Sequence, residues 1–182
     1  MEAVANDLDA TAIQIERGLT SEAVLLSAGV SVGERDYARA ALARFGDIQS
    51  WRLQMRPVRP LAFGRIGRTL VFGLPGNPVA SFLAFELLVR PALRALAGHS
   101  LTGRPELSAR MEESLDNSGG VLTFVRAILS SRPQPIVRSA GGQGTANLVT
   151  LTRANCLIVV PEGTEHVETG AEVRVRLLSG DA

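Results

Sequence analysis

Apolar and polar positions follow two different rhythms along this chain, and the change between them divides it. The first half reads as helix and strand in turn. It has a helix over about residues 10–18, an apolar strand ending near Ser27, a helix over residues 36–45, strands around 48–55 and 69–72, and a long helix after Asn77. Such alternation is the wiring of an α/β domain built on parallel strands. Residues 98–105 (Gly-His-Ser-Leu-Thr-Gly-Arg-Pro) interrupt it. Beyond them come short strand-like runs and turn residues, including 122–129, 156–160 and the alternating 172–177, which predict a small β-barrel or sandwich. The expected organisation is an α/β domain over residues 1–98 and an all-β, barrel-like domain over residues 99–182, each near the lower size limit for an independent core.

The long helix shows both its start and its irregularity in sequence. Asn77 is a capping residue, and Pro78 fits the first helical position, where no N–H is required. Val79, Phe82, Leu83, Phe85, Leu87 and Leu88 are too many apolar residues for one stripe and predict burial on more than one side. Pro91 removes a hydrogen bond and crowds the preceding turn, so a kink or restart is expected there.

Candidate chemistry lies in two strand-to-glycine-loop-to-helix segments. Residues 28–37 read Ala-Gly-Val-Ser-Val-Gly-Glu-Arg-Asp-Tyr, and residues 72–80 read Phe-Gly-Leu-Pro-Gly-Asn-Pro-Val-Ala. Free backbone N–H groups and the positive end of a helix dipole attract anions, and glycine removes the Cβ that keeps a phosphate at a distance. Neither loop has Walker or Rossmann spacing, which argues against nucleoside triphosphates and nicotinamide dinucleotides. Asp36 reads on residue grounds as a helix-start carboxylate. Asn77 reads equally as a cap and as a ligand contact, since both occupy the same end of a helix. Arg52, Gln54 and Arg56 alternate with Leu53 and Met55, predicting one strand with both arginines on one face, and Arg59 follows. Charges alternating with apolar residues also describe a solvated strand face.

Composition changes the picture in three respects. All 19 basic side chains are arginine and are nearly balanced by 18 acidic ones, so neither a nucleic-acid footprint nor a membrane-surface patch is indicated. A single cysteine, Cys156, precludes an intramolecular disulfide and suits a reducing compartment; within the run Cys-Leu-Ile-Val-Val it is expected to be a buried strand residue. No apolar stretch is long enough to span a bilayer, so a cytoplasmic location is expected.

In order and spacing, these motifs resemble the molybdopterin molybdenumtransferases, the MoeA and gephyrin E-domain family. The residues that carry the resemblance are Ser27-Ala28-Gly29-Val30-Ser31-Val32-Gly33 with Asp36-Tyr37, Met55-Arg56-Pro57-Val58-Arg59-Pro60 running into Leu61-Ala62-Phe63-Gly64, and Leu74-Pro75-Gly76-Asn77-Pro78. Gly-Gly-Gln-Gly-Thr at 141–145 and Asn155-Cys156-Leu157 extend it almost to the C-terminus. The resemblance implies a MogA-like molybdopterin-binding fold followed by a β-barrel-like domain. It implies adenylylated molybdopterin and molybdate as substrates, with molybdenum insertion and release of AMP. Asp36 becomes the expected catalytic residue and Mg²⁺ ligand, because a carboxylate beside phosphates needs a cation between them. Arg52 and Arg56 become catalytic or anion-holding. Gly29, Ser31, Gly33, Arg59, Pro75, Gly76, Asn77 and Thr145 become cofactor-binding.

The chain also departs from the family pattern. Family members commonly carry lysine where Arg52 and Arg56 stand; arginine keeps the charge and grips oxyanions in a fork but is a poor proton donor. Thr145 stands where serine is frequent, and its hydroxyl bonds oxygen equally well. The turn Asn6-Asp7-Leu8-Asp9-Ala10 resembles the family's Asp-Asp-Pro-x-Ala, with Asn6 rather than Asp7 on the functional aspartate, and also reads as a plain helix cap. The family's front regions, with the pterin domain's first strand and helix and its Gly-Asp-Glu-Leu motif, do not precede Met1. The chain is therefore expected to be the C-terminal part of such an enzyme, working as a homodimer or with the missing half. Two alternatives remain: a non-catalytic pterin-binding or interaction module, and a molybdopterin adenylyltransferase, against which the attached β-domain argues.

Overall fold

The computed structural model describes residues 7–27, 37–46, 48–130, 133–144 and 147–179. Its elements are α1 (Leu8–Gly18), β1 (Ala23–Ser27), α2 (Tyr37–Leu42), β2 (Gln49–Arg52), β3 (Met55–Arg56), β4 (Pro60–Ile66), β5 (Thr69–Leu74) and α3 (Pro78–Ala84). A π-helical turn (Phe85–Val89) follows, then α4 (Arg90–Leu96), β6 (Glu106–Met111), β7 (Leu115–Asp116), β8 (Leu122–Ser130) and β9 (Ile136–Ser139). The last elements are α5 (Leu148–Arg153), β10 (Cys156–Val160), β11 (His166–Val167) and β12 (Glu172–Leu177). Contacts divide the chain into two compact units, one of Met1–Leu53 with Val58–Val89 and the other of Gln54–Pro57 with Arg90–Ala182.

The first unit holds a four-stranded sheet in the order β1-β5-β4-β2. Only β1 and β5 are parallel; β4 runs antiparallel to both of its neighbours, so the expected parallel sheet is a mixed one. The reason lies in a strand that the sequence reading passed over. β4 is joined to β5 by a tight turn at Gly67, whose φ of 58° suits glycine, and a hairpin forces antiparallel pairing. Phe63 and Phe72 stand opposite each other on this hairpin with ring centroids 4.9 Å apart. Ala12 and Ile15 of α1, Ala41 and Leu42 of α2, and Val71 of β5 form a buried cluster. The Asp7 carboxylate caps α1 by accepting from Ala10 N–H at 2.9 Å, which is the plain capping role; Asn6 lies outside the described residues.

The long helix corrects the expected burial of its apolar residues and shows the irregularity expected at Pro91. Val79 and Leu83 are fully buried, but Phe82 is exposed and Phe85, Leu87 and Leu88 are only half-buried. That irregularity takes the form of the π turn just ahead of the proline, after which the helix restarts as α4 and runs to Leu96. A proline at 91 has no N–H for the Leu87 carbonyl and its ring crowds that group, and a widened turn accommodates both.

The second unit is a closed barrel. β10, β12, β6, β9 and β8 follow one another in the sheet, and β8 pairs again with β10 to complete the ring. Val125, Ala127 and Leu129 of β8 line the core with Met111, Val137, Ile158 and Val175, as period-two alternation requires. All five residues of β10 are buried. Cys156 is among them, as expected, and burial pushes its thiol up to about 12. A thiol so far from ionisation is a poor nucleophile. Iodoacetamide at pH 8 should leave Cys156 unmodified in the native chain and modify it once denaturant opens the barrel, as read by mass spectrometry.

β7 and β11 form a separate two-stranded ribbon in which His166 stands opposite Asp116. His166 Nδ1 lies 2.6 Å from the Asp116 carboxylate and Nε2 lies 3.5 Å from Glu168. The hydrogen bond to Asp116, helped by the charge of Glu168, raises the histidine above its ordinary value. Because the folded value is the higher one, the stabilisation is complete below the unfolded value near 6.5 and is lost as pH rises through the folded value. An NMR titration should therefore find the His166 ring titrating above 6.5, and Asp116→Asn should bring its midpoint down.

Candidate active site

Three strand ends and one strand start come together at one end of the sheet in the first unit. β1 and β5 are parallel and in register, with Ser27 beside Leu74. The two strands thus end at neighbouring positions, about 4.8 Å apart. β2 is antiparallel to β4, and β4 to β5, so β2 ends at the same side, at Arg52 opposite Pro60. Arg59 immediately precedes Pro60, and its carbonyl accepts from Leu53 N–H at 2.7 Å, closing the loop between them. Both Arg52 and Arg59 are exposed. Ligands of open α/β sheets bind outside the carboxyl ends of strands, and this end offers two such strands side by side with two cations nearby.

Pro75 is buried, Gly76 exposed and Asn77 half-buried. Asn77 Oδ1 accepts from the N–H groups of Val79 at 3.1 Å and Ala80 at 3.2 Å, so the capping role is present. Gly29, Ser31, Gly33 and Asp36 lie outside the described residues, as does Thr145.

Arg56 is not where the alternating pattern predicts. The strand expected over residues 48–55 stops at Arg52, and Met55–Arg56 joins the second unit as β3, parallel to β8, with Arg56 opposite Thr123. Arg52 and Arg56 therefore belong to different sheets and do not share a strand face. The half-buried Arg56 guanidinium donates from Nη1 to the Ser118 carbonyl. Gly119, at φ 97°, sits against it: a Cβ there would come within 3.1 Å of Nη2. Asn117 holds this turn, donating from Nδ2 to the carbonyls of Val121 and Thr164 while Thr123 donates to its Oδ1.

The residue that the sequence reading missed is Arg126. It lies on β8 beneath the exposed Gly-Gly-Gln-Gly loop, on the opposite face of the strand from the core residues Val125 and Ala127. Only 1 % of it is exposed. Nη2 donates to the Gly142 and Gly144 carbonyls, both at 3.2 Å, and among the described residues Nε has no hydrogen-bond partner. Among the described residues no carboxylate pairs with it, and burial lowers its pKa without removing the charge. Buried charges are ordinarily paired or hydrogen-bonded throughout. A guanidinium with its fork half-used under a glycine loop is suited to a tetrahedral oxyanion. One signal was present in sequence: Arg126 is the sole charged residue in the nine-residue strand Leu-Thr-Phe-Val-Arg-Ala-Ile-Leu-Ser.

Comparison with known families follows this division. Residues 1–95 match the family model described as a probable molybdopterin binding domain, and residues 108–178 match the MoeA C-terminal region, domain IV. The chain belongs to the MoeA family. Molybdopterin molybdenumtransferase of Haemophilus influenzae is 33% identical over 158 residues, covering 85% of this chain and 39% of the relative. Molybdopterin molybdenumtransferase 1 of Mycobacterium tuberculosis is 34% identical over 167 residues, covering 87% and 39%. The chain thus spans about two fifths of the length of these curated relatives. Among solved structures, a MoeA protein from Pyrococcus horikoshii aligns with a TM-score of 0.76 at 23% identity, covering 97% of this chain and 42% of its own, which shows the fold. A molybdenum cofactor biosynthesis protein from Pyrococcus furiosus aligns at 0.73 with 26% identity, covering 96% and 56%. Among the described residues, no helix is long and apolar enough to cross a membrane.

Proposed function

We propose that this chain is the part of a molybdopterin molybdenumtransferase that binds adenylylated molybdopterin and molybdate, in an enzyme that cleaves the adenylate, releases AMP and inserts molybdenum at the dithiolene. The observation that carries the reading is the parallel register of β1 and β5, which sends the two glycine segments of a MoeA-family chain out from adjacent strand ends. The proposed domains are a MogA-like domain over residues 1–98 and a barrel-like domain over residues 99–182. In the first, Gly29, Ser31 and Gly33, with Gly76 and Asn77, cradle phosphate or pterin through backbone N–H groups, and Pro75, which has no N–H, contributes through its ring. Arg52 and Arg59 supply positive charge at the same sheet end. Within the second unit by itself, Arg56, Arg126 and Thr145 supply oxyanion contacts. The setting is the cytoplasm, and the partner is a second copy or the front part of the enzyme.

Mg²⁺ belongs to the proposal through Asp36 alone. Among the described residues no three His, Cys, Asp or Glu side chains gather to hold a metal, so they offer the ion no cage of their own. Mg²⁺ ordinarily takes one or two carboxylates together with substrate phosphates, and when bound it would neutralise charge on the adenylate. No further role is derived for it.

The test is an assay of AMP release and molybdenum insertion, run with the chain alone and with the chain supplied with the front regions of a relative. Turnover only in the second case supports the reading. Binding of adenylylated molybdopterin without AMP release in either case favours the non-catalytic module, for which the arginines at 52 and 56 are the specific argument.

A further inference from the structure

β8 has an interrupted edge at Arg126. On one side it pairs with β10 continuously from Thr123 to Ala127. On the other side β3 covers Leu122 and Thr123, and β9 covers Ala127 to Ser130, leaving the stretch from Phe124 to Arg126 without a strand partner. The Gln143 side chain occupies this gap. Its Oε1 accepts from Arg126 N–H at 2.9 Å, the bond that an opposing strand carbonyl would make, and its Nε2 donates at 3.1 Å to the Arg126 carbonyl, which also accepts from Ala140 N–H at 2.9 Å. Nε2 also lies 2.7 Å from the Gly141 carbonyl and 3.0 Å from Ser139 Oγ. One amide therefore ties the backbone of Arg126 to the loop whose Gly142 and Gly144 carbonyls receive the Arg126 guanidinium. Gly141, at φ 113°, gives this loop the turn that brings residue 143 back over the strand.

We propose that Gln143 is a positioning residue for Arg126: its amide oxygen stands in for a missing strand carbonyl and its amide nitrogen ties the arginine's carbonyl to the loop over its guanidinium, so that the buried, uncommitted Nε–H is held in place beneath that loop for a tetrahedral oxyanion. This rests on the reading of Arg126 as an oxyanion ligand given above. Positioning of this kind is what separates a buried donor from a merely buried one, because a guanidinium free to rotate would satisfy itself on loop carbonyls or water.

The chain contains its own control. Asn155 makes the same kind of clamp further along β8, accepting from Leu129 N–H at 2.7 Å and donating to its carbonyl at 3.0 Å, with no bond to Arg126 or its loop. The experiment uses the full ¹⁵N-labelled chain and follows the Arg126 Nε–H resonance, assigned by its loss in Arg126→Met. Hydrogen exchange of that proton and titration with sodium molybdate and inorganic phosphate are measured for wild type, Gln143→Ala and Asn155→Ala. Gln143→Ala should exchange the Nε–H at least tenfold faster and bind molybdate at least tenfold more weakly. Asn155→Ala should lower the melting temperature to a similar degree while changing neither quantity. If Gln143→Ala does not fold, Gln143→Glu is measured in its place, since it keeps the acceptor for Arg126 N–H and loses the donors. Unchanged exchange in the folded Gln143 variant, or equal acceleration in Asn155→Ala, overturns the proposal. A wild-type chain that binds neither anion overturns the oxyanion reading of Arg126, while the exchange comparison still decides the role of Gln143.

Discussion

Arg126→Met is expected to weaken molybdate or phosphate binding by the chain roughly 10- to 100-fold while leaving the barrel folded. A hydrogen bond to a charged group contributes about 1.5–3 kcal/mol, and each 1.4 kcal/mol is tenfold in affinity. The variant removes both the unpartnered Nε–H and the buried positive charge. Stability should change much less. Methionine is of similar length, and replacing a buried charge by a well-packed apolar group is often neutral or favourable because no ion need be desolvated. The Gly142 and Gly144 carbonyls that lose their donor lie in an exposed loop, where water substitutes. Isothermal titration and thermal melting of the same preparations check both parts. Arg126→Lys should fall between the two, since it restores charge without the fork. Wild-type affinity in a natively melting Arg126→Met chain would return the residue to a purely structural role.

The second large effect is expected at Asp36. In the enzyme reconstituted with its front regions, Asp36→Asn should lower molybdenum insertion by at least about 100-fold, the usual contribution of a positioned acid–base or metal-holding group. The melting transition should hardly move, because a helix-start carboxylate is worth only about 0.3–1 kcal/mol through the dipole. Asn keeps the shape and the capping ability while losing the charge, so a large loss of turnover at constant stability is specific to chemistry. Turnover and melting are measured together; unaltered turnover would leave Asp36 as a capping residue.

Much of the fold could be read from local pattern, and the misses share a cause. The barrel strands β8, β10 and β12 announce themselves, β12 by its alternation and β8 and β10 as largely apolar runs, β10 being buried along its whole length. β4 escaped notice because its Pro60 and Gly64 look like breakers, although a proline at the first position of a strand and a glycine within a hairpin strand are both tolerated. Residues 50–56 alternate polar and apolar without interruption, yet the chain changes sheet at Leu53 and Gln54. Alternation records that backbone is extended and which side chains share a side; it carries no record of the partner.

The candidate site divides in the same way. The family was legible in the sequence by itself, because its motifs at residues 27–37, 55–64 and 74–78 stand in order and spacing within short segments. Tertiary structure alone decided which of those groups meet. The register Ser27 beside Leu74 sets two segments nearly fifty residues apart at one sheet end, and the antiparallel path of β4 returns Arg52 and Arg59 to it. Arg126 shows the limit most clearly: in sequence it is one charge in an apolar strand. Its burial, its unused Nε and its clamp by Gln143 arise only when loop and strand are folded together, because desolvation and hydrogen-bond partnership belong to the assembled surroundings and not to the residue.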